Sequence, residues 1–443
     1  MRIANLKFSA LMACAMVIGA CVQKEDVPQD YSKDTVFTAT QENGLPSKAS
    51  IDGSVSTIIN WDTADKVNYF GGGTGEFITL VSGAGTPTGQ FSGTVTKGSD
   101  DYVLYPFQAG AECVAGVLTA EIPSRQVVPA GSFDPEALIM VGKVASDNSI
   151  TFYNAVGMLA ITIPAGEDHI SKMVITGNAD ERLSGKITIS GVGVSSAPSA
   201  INGTQRTWET DRTSVISDGV KYVEVIPADG TKFVAGSTYY VAVAPDASLD
   251  SGIYVLLYDG SASDPANLKL AVKKSTTNIQ MGRNKVKKTT LPAIAGGEWY
   301  SMMTLTGCYM APFNLGAVNP SSKGGYYSFG EVDQHMLPTP DYSTAYWGSA
   351  NLSGLTDAAT CNWGPDWRMP TSEEFTNNIS IAGSLPVSGY YRNGSLISTS
   401  KQYYWTASPN GDSYGFCVFP SYGNYDSFGT LRYEGCQIRA VLN

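Results

Sequence analysis

Cysteine is the residue type whose placement in this chain could do chemistry, and it falls into two groups. Cys21 follows Ile18-Gly19-Ala20 and a short apolar run, Phe8 to Val17, with the positive residues Arg2 and Lys7 ahead of it. A run that short does not span a bilayer and reads as a cleaved export signal. Gly19 and Ala20 suit a narrow peptidase cleft, so a cut between Ala20 and Cys21 is expected, and the Cys21 thiol is the nucleophile at this site. Cys14 lies inside the run and leaves with it. The second group, Cys308, Cys361, Cys417 and Cys436, sits in the last third of an exported chain, where disulfides are permitted and all three pairings stay open. None of these cysteines has the close spacing of a metal-ligand pair. Cys113 has no partner nearby and is expected to be a small buried apolar residue.

Other chemistry is thinly provided for. Only two histidines, His169 and His335, are present, which argues against a zinc centre or a histidine-based triad. No Gly-rich phosphate loop, nucleophile elbow or His-Glu-x-x-His occurs. The formal net charge of -11 argues against nucleic acid as a partner. No cofactor or metal is expected, and the chain reads as a binder rather than an enzyme. The candidate recognition surface is Ser421 to Phe428, read as a loop in which Tyr422, Asn424, Tyr425 and Asp426 mix tyrosine rings with small polar partners. That mixture suits adaptable contact with a glycan or a protein. Trp367 and Met369 are expected in the core, with Pro370 ending a strand and Thr371 capping a helix. Trp405 is expected in the core with its N–H satisfied internally.

The elements that must position these residues are mostly strands. After a tether over 22–35, short alternating segments with Gly and Asn turns run to about residue 290, among them Tyr222 to Ile226 and Ile253 to Tyr258. Pro164-Ala165-Gly166 divides them into two halves, 36–165 and 166–292, read as tandem Greek-key β-sandwiches. Ala293 to Gly297 reads as a linker. The segment 298–443 follows as an α+β domain holding more than half of the aromatic residues, with a helix at Thr371 to Asn378 that Thr371 and Glu374 close in a capping box.

Three resemblances rest on these residues. Ile18-Gly19-Ala20-Cys21 resembles the lipobox of bacterial lipoproteins, and Lys24-Glu25-Asp26 resembles a short export tag of surface lipoproteins; together they imply lipid on Cys21 and exposure at the outer membrane. Ser50 to Gly53, Trp61 to Val67, Leu80 to Phe91, Tyr102 to Pro106, Pro123 to Lys143, Asn154 to Pro164 and Thr238 to Pro245 resemble the fimbrillin family. Membership would imply two transthyretin-like sandwiches, assembly by strand exchange, and partners among fimbrial shaft or adaptor subunits. Family shaft subunits are cut after an arginine near the first strand; no arginine lies between Arg2 and Arg125, so Lys48 is the candidate cleavage site. The first strand, near Thr35 to Thr40, is expected to be displaceable at the loss of part of one sheet edge.

Asn362-Trp363-Gly364-Pro365-Asp366-Trp367-Arg368-Met369-Pro370-Thr371, Ser388 to Gly394, Tyr404 to Ser408 and Gly435 to Val441 resemble a bacterial C-type-lectin-like domain. That family is distantly related to formylglycine-generating enzymes, whose two thiols lie close together late in the domain; Cys417 and Cys436 are far apart in sequence. The calcium-ligand motifs of sugar-binding C-type lectins are missing, and Pro409-Asn410-Gly411-Asp412 reads as a turn. The leading expectation is a lipid-anchored tip or accessory subunit of a fimbrium with an adhesive C-terminal domain. The alternatives are an unpolymerised surface glycan-binding lipoprotein and, behind it, a formylglycine-generating-like enzyme.

Overall fold

Strict alternation builds the first strand. In β1 (Thr35–Gln41), Phe37 and Ala39 point inward while Val36, Thr38 and Thr40 face outward. It joins β2 (Lys66–Phe70), β3 (Glu76–Ser82), β4 (Gly89–Gly93) and β5 (Tyr102–Tyr105). Beyond β6 (Glu112–Val114), β7 (Val117–Ile122) and β8 (Arg125–Val128) come β9 (Met140–Lys143) and β10 (Ser149–Asn154). Seven of these close on themselves in the order β1-β10-β9-β5-β2-β3-β4. Trp61 fills the interior, its ring edge-on to Phe91, Tyr105 and Phe152. This computed structural model describes residues 34–42, 60–195, 200–202, 219–245, 248–260, 264–334, 348–411, 413–421 and 424–442.

The molecule is mainly β, as its alternating segments imply. The sheets nevertheless run across residue 165. β7 pairs antiparallel with Ser184–Ser190, and β8 pairs parallel with Tyr222–Pro227. The Gln126 amide, fully buried on β8, donates to the Ala242 carbonyl at 2.8 Å and accepts the Ala242 N–H at 2.9 Å, tying β8 to Thr238–Val243. One apolar core extends from Phe37 through Leu159 to Leu257.

A six-stranded sheet lies at the centre, in the order Tyr300–Ser301, Lys269–Ser275, Ile253–Asp259, Ile170–Gly177, Tyr222–Pro227, β8. Its two faces belong to different cores. Met173, Val223, Val255 and Leu257 face the core shared with the barrel, whereas Val174, Tyr254, Leu256, Tyr258 and Val272 pack on Phe313, Trp363 and Trp367 of the C-terminal region. The expected linker is therefore no hinge. The Ile294 N–H donates to Glu167 Oε1 at 3.1 Å, Lys273 Nζ donates to the Ala293 carbonyl at 2.9 Å, and two residues past Glu298 the chain adds a strand to the same sheet. Residues 34–443 form one compact unit.

In the C-terminal region a small sheet has the order Met303–Thr304, Tyr309–Met310, Val441–Leu442, Trp367–Arg368. Helix α1 (Ala358–Trp363) starts at Asp357, whose carboxylate accepts the N–H groups of Ala359 and Thr360. Helix α2 (Ser372–Asn377) has Thr371 as its N-cap with Glu374 completing the capping box, as the spacing predicts. Three antiparallel strands, Tyr404–Asn410, Tyr414–Ser421 and Asn424–Leu431, complete the region.

Candidate functional site

The candidate site is the place of β1 in the barrel. This strand pairs parallel with β10, Thr38 to Gln41 against Ser149 to Phe152, and antiparallel with β4, Thr35 to Ala39 against Gly93 to Gly89. Its Phe37 ring lies 5.4 Å from that of Tyr69 and packs in the core with Phe91 and Ile78. Tyr69 in turn donates to Asp101 Oδ2 at 2.6 Å, and burial beside that carboxylate pushes its phenol well above its ordinary range. Ala39, fully buried, stands opposite Gly89, whose own Cβ, were it present, would come within 2.8 Å of the Trp61 ring, so the interior is closely packed around this pair. β1 is thus an interior strand of a closed barrel, and the expectation that it lies on one sheet edge is corrected. Its loss opens a slot bounded by two strands, because barrel closure pairs it on both sides.

Beyond β1, Glu42 is received by Arg283 and by the backbone of Asn154. Sequence reading missed this pair, since 241 residues separate its members.

A concavity of about 350 Å³ lies against the same barrel, lined by Asp62, Asp65, Lys66, Tyr105, Phe133 and Glu136 among others. Tyr105 Oη donates to Asp65 Oδ1 at 2.9 Å. The Glu136 carboxyl is pushed up, by burial first and then by the nearby Asp134 and Asp65.

Cys417 and Cys436 are fully buried with Sγ atoms 3.7 Å apart, so the pair that is distant in sequence is adjacent in space. Burial, and then the Cys417 thiol, push the Cys436 thiol well up. Cys308 and Cys361 are buried and free, and Cys113 is a partly exposed free thiol on β6. Trp405 is in the core, donating Nε1–H to the Tyr327 carbonyl at 2.7 Å, and Trp367 and Met369 are buried as expected. Gly411 follows the strand Tyr404–Asn410 with φ +67°, which fits the turn read there.

The candidate recognition loop is corrected. Ser421 and Asn424 face each other as the last pair of a β-hairpin, and Asn424, Tyr425 and Asp426 belong to its second strand, in antiparallel register with Ser421, Pro420 and Phe419. Tyr422 lies outside the described residues, as do Ala20, Cys21 and Lys48.

No family model matches the chain, and no curated protein does. Among solved structures, the chain is similar to a candidate cell adhesion protein from Bacteroides uniformis at 14% identity, covering 60% of this chain and 95% of that one, with a TM-score of 0.30. It is similar to a fimbrial protein from Bacteroides ovatus at 9% identity, covering 92% and 99%, with a TM-score of 0.26. A third is the tip fimbrial protein Mfa3 from Porphyromonas gingivalis with C-terminal truncation, at 11% identity, covering 59% and 96%, with a TM-score of 0.23. All three scores lie well under 0.5, so the functional reading rests on this chain's own strands.

Proposed function

We propose that this chain is a non-enzymatic tip or accessory subunit of a cell-surface fimbrium, anchored to outer-membrane lipid through Cys21. Its barrel accepts a strand from a shaft or adaptor subunit in place of β1, and residues 298–443 act as a C-type-lectin-like adhesive domain for a surface glycan or protein. One observation carries this reading: β1 is held by two backbone ladders and two inward side chains, Phe37 and Ala39, all of which another extended segment can supply. A tip position is supported by the far end of the second half. Val286–Thr290 runs on into the docked C-terminal region instead of ending as a free strand.

The test is removal of residues 22–48 followed by titration with peptides from the C-terminal strands of shaft subunits, alongside co-purification of the full chain with fimbriae. Peptide capture together with co-purification supports the reading. If neither occurs, a solitary glycan-binding lipoprotein replaces it, and a glycan array becomes the next measurement.

A further inference from the structure

The alternating pattern of β1 ends at Gln41, yet the most polar attachment of this segment lies one residue on. Glu42 N–H makes the last rung, to the Phe152 carbonyl at 2.8 Å. Its carboxylate is gripped by both terminal nitrogens of Arg283, Nη1 on Oε1 and Nη2 on Oε2 at 3.1 Å, and Oε1 also accepts the Asn154 N–H at 2.7 Å. Arg283 Nη1 donates in addition to the Asn154 carbonyl at 2.8 Å. The two side chains are only 13% and 23% exposed.

None of the donors belongs to β1. Arg283 sits in a turn closed by Lys285 N–H on the Gly282 carbonyl. The Asn284 N–H pins that turn to the Val156 carbonyl, and the Met158 N–H pins it to the Lys285 carbonyl. Asn284 adopts φ +56° and accepts from Asn154 Nδ2 at 3.2 Å. If β1 left, the fork, the amide and the turn that aims them would remain, pointing at the end of the emptied slot. The bidentate contact and the Asn154 N–H contact are lost with Glu42 and are restored only by an occupant that brings a carboxylate, so the slot favours one.

We propose that Arg283 and the Asn154 N–H form a carboxylate-reading subsite, and that a strand filling the β1 slot is selected for an acidic group at the position of Glu42. This rests on strand acceptance and makes it specific: an aromatic residue at the position of Phe37, a small one two residues on, and a carboxylate five residues on. A side-chain carboxylate and the free C-terminus of a strand share this chemistry.

The experiment uses the full-length protein with a protease site introduced between residues 43 and 59, cut so that the β1 segment is held without a covalent link. Fluorescent peptides of the Thr35–Gln41 sequence followed by Glu, Gln or Lys are exchanged in and followed by anisotropy. A further pair ends at the position of Gln41 as a free acid or an amide. The Glu peptide is expected to bind roughly 10-fold or more tighter than the Gln peptide, the range of a charge-assisted contact. Arg283→Gln erases that difference, and Arg283→Glu favours the Lys peptide. Preference for the free acid over the amide extends the subsite to a strand terminus, and equal binding of those two confines it to side chains. Equal binding of the Glu and Gln peptides to the unsubstituted protein overturns the subsite and leaves strand acceptance standing. Failure of every peptide to exchange overturns strand acceptance itself. The comparison on the unsubstituted protein decides even if an Arg283 variant does not fold.

Discussion

Two buried groups set measurable properties at the scale of single residues. The Cys417 and Cys436 sulfurs lie 3.7 Å apart, so a bond of about 2 Å is within reach of small side-chain movements. Refolding from denaturant in the presence of a disulfide-exchanging oxidant is expected to join them, with both thiol protons released and two electrons passed to the oxidant. Peptide mapping after denaturation without reductant should then find one linked pair, with Cys113, Cys308 and Cys361 still alkylated. Alkylation of all five would count against it. Asp357 supplies a pH response. Burial pushes its carboxyl up to about 6, against the opposing pull of three backbone N–H groups, from Met369, Thr360 and Ala359. Its folded value exceeds the unfolded one of about 4, so the folded state binds the extra proton between those limits. Its contribution is present below about pH 4 and is lost as pH rises through about 6. Chemical denaturation of Asp357→Ala should show a flatter dependence than the parent over that window, together with a loss of roughly 1 kcal/mol or more from the missing cap.

At the scale of elements, β1 is paired on both sides and sends Phe37 and Ala39 into the core. Phe37 contributes most of its apolar burial, so Phe37→Ala should lower stability by about 3–5 kcal/mol, the usual range for emptying an aromatic core site. The loss should be local before it is global. Amide exchange in β1, β4 and β10 is expected to quicken first, while Ile170–Gly177 and Ile253–Asp259, covered on both faces, keep their protection. Uniform acceleration across all these strands would mean that β1 does not open separately.

At the scale of the whole molecule, the C-terminal region is joined to the second half by more than apolar packing. Lys221 Nζ, almost fully buried, reaches Asp180 at 2.5 Å and Asp333 at 2.7 Å, and Arg182 Nη1 meets Asp333 at 3.1 Å. Trp367 donates its indole N–H to Tyr258 Oη inside the shared core. Calorimetry is therefore expected to give one cooperative transition for residues 34–443, and cutting at 293–297 should leave two fragments that co-elute. Two separated transitions would show that the parts fold independently. Tyr258→Phe should cost about 1–3 kcal/mol by leaving a buried indole N–H unpaired, and it should lower the same single transition.

What the sequence by itself determined here is whatever depends on residues a few positions apart. The alternation of β1, the Thr371–Glu374 capping box, the turn at Gly411 and the burial of Trp367, Met369 and Trp405 were legible because backbone geometry and local apolarity decide them. The run Ile253 to Tyr258 also carried an unread signal. It has no polar face, the pattern of a strand covered on both sides, and the C-terminal region is what covers the second side. Only tertiary structure decided that β7 and β8 cross residue 165, that β1 is interior to a barrel, that Cys417 meets Cys436, and that Glu42 finds Arg283. Each of these depends on which strands become neighbours and in what register. That choice is made by the summed packing of whole faces, so no short segment records it.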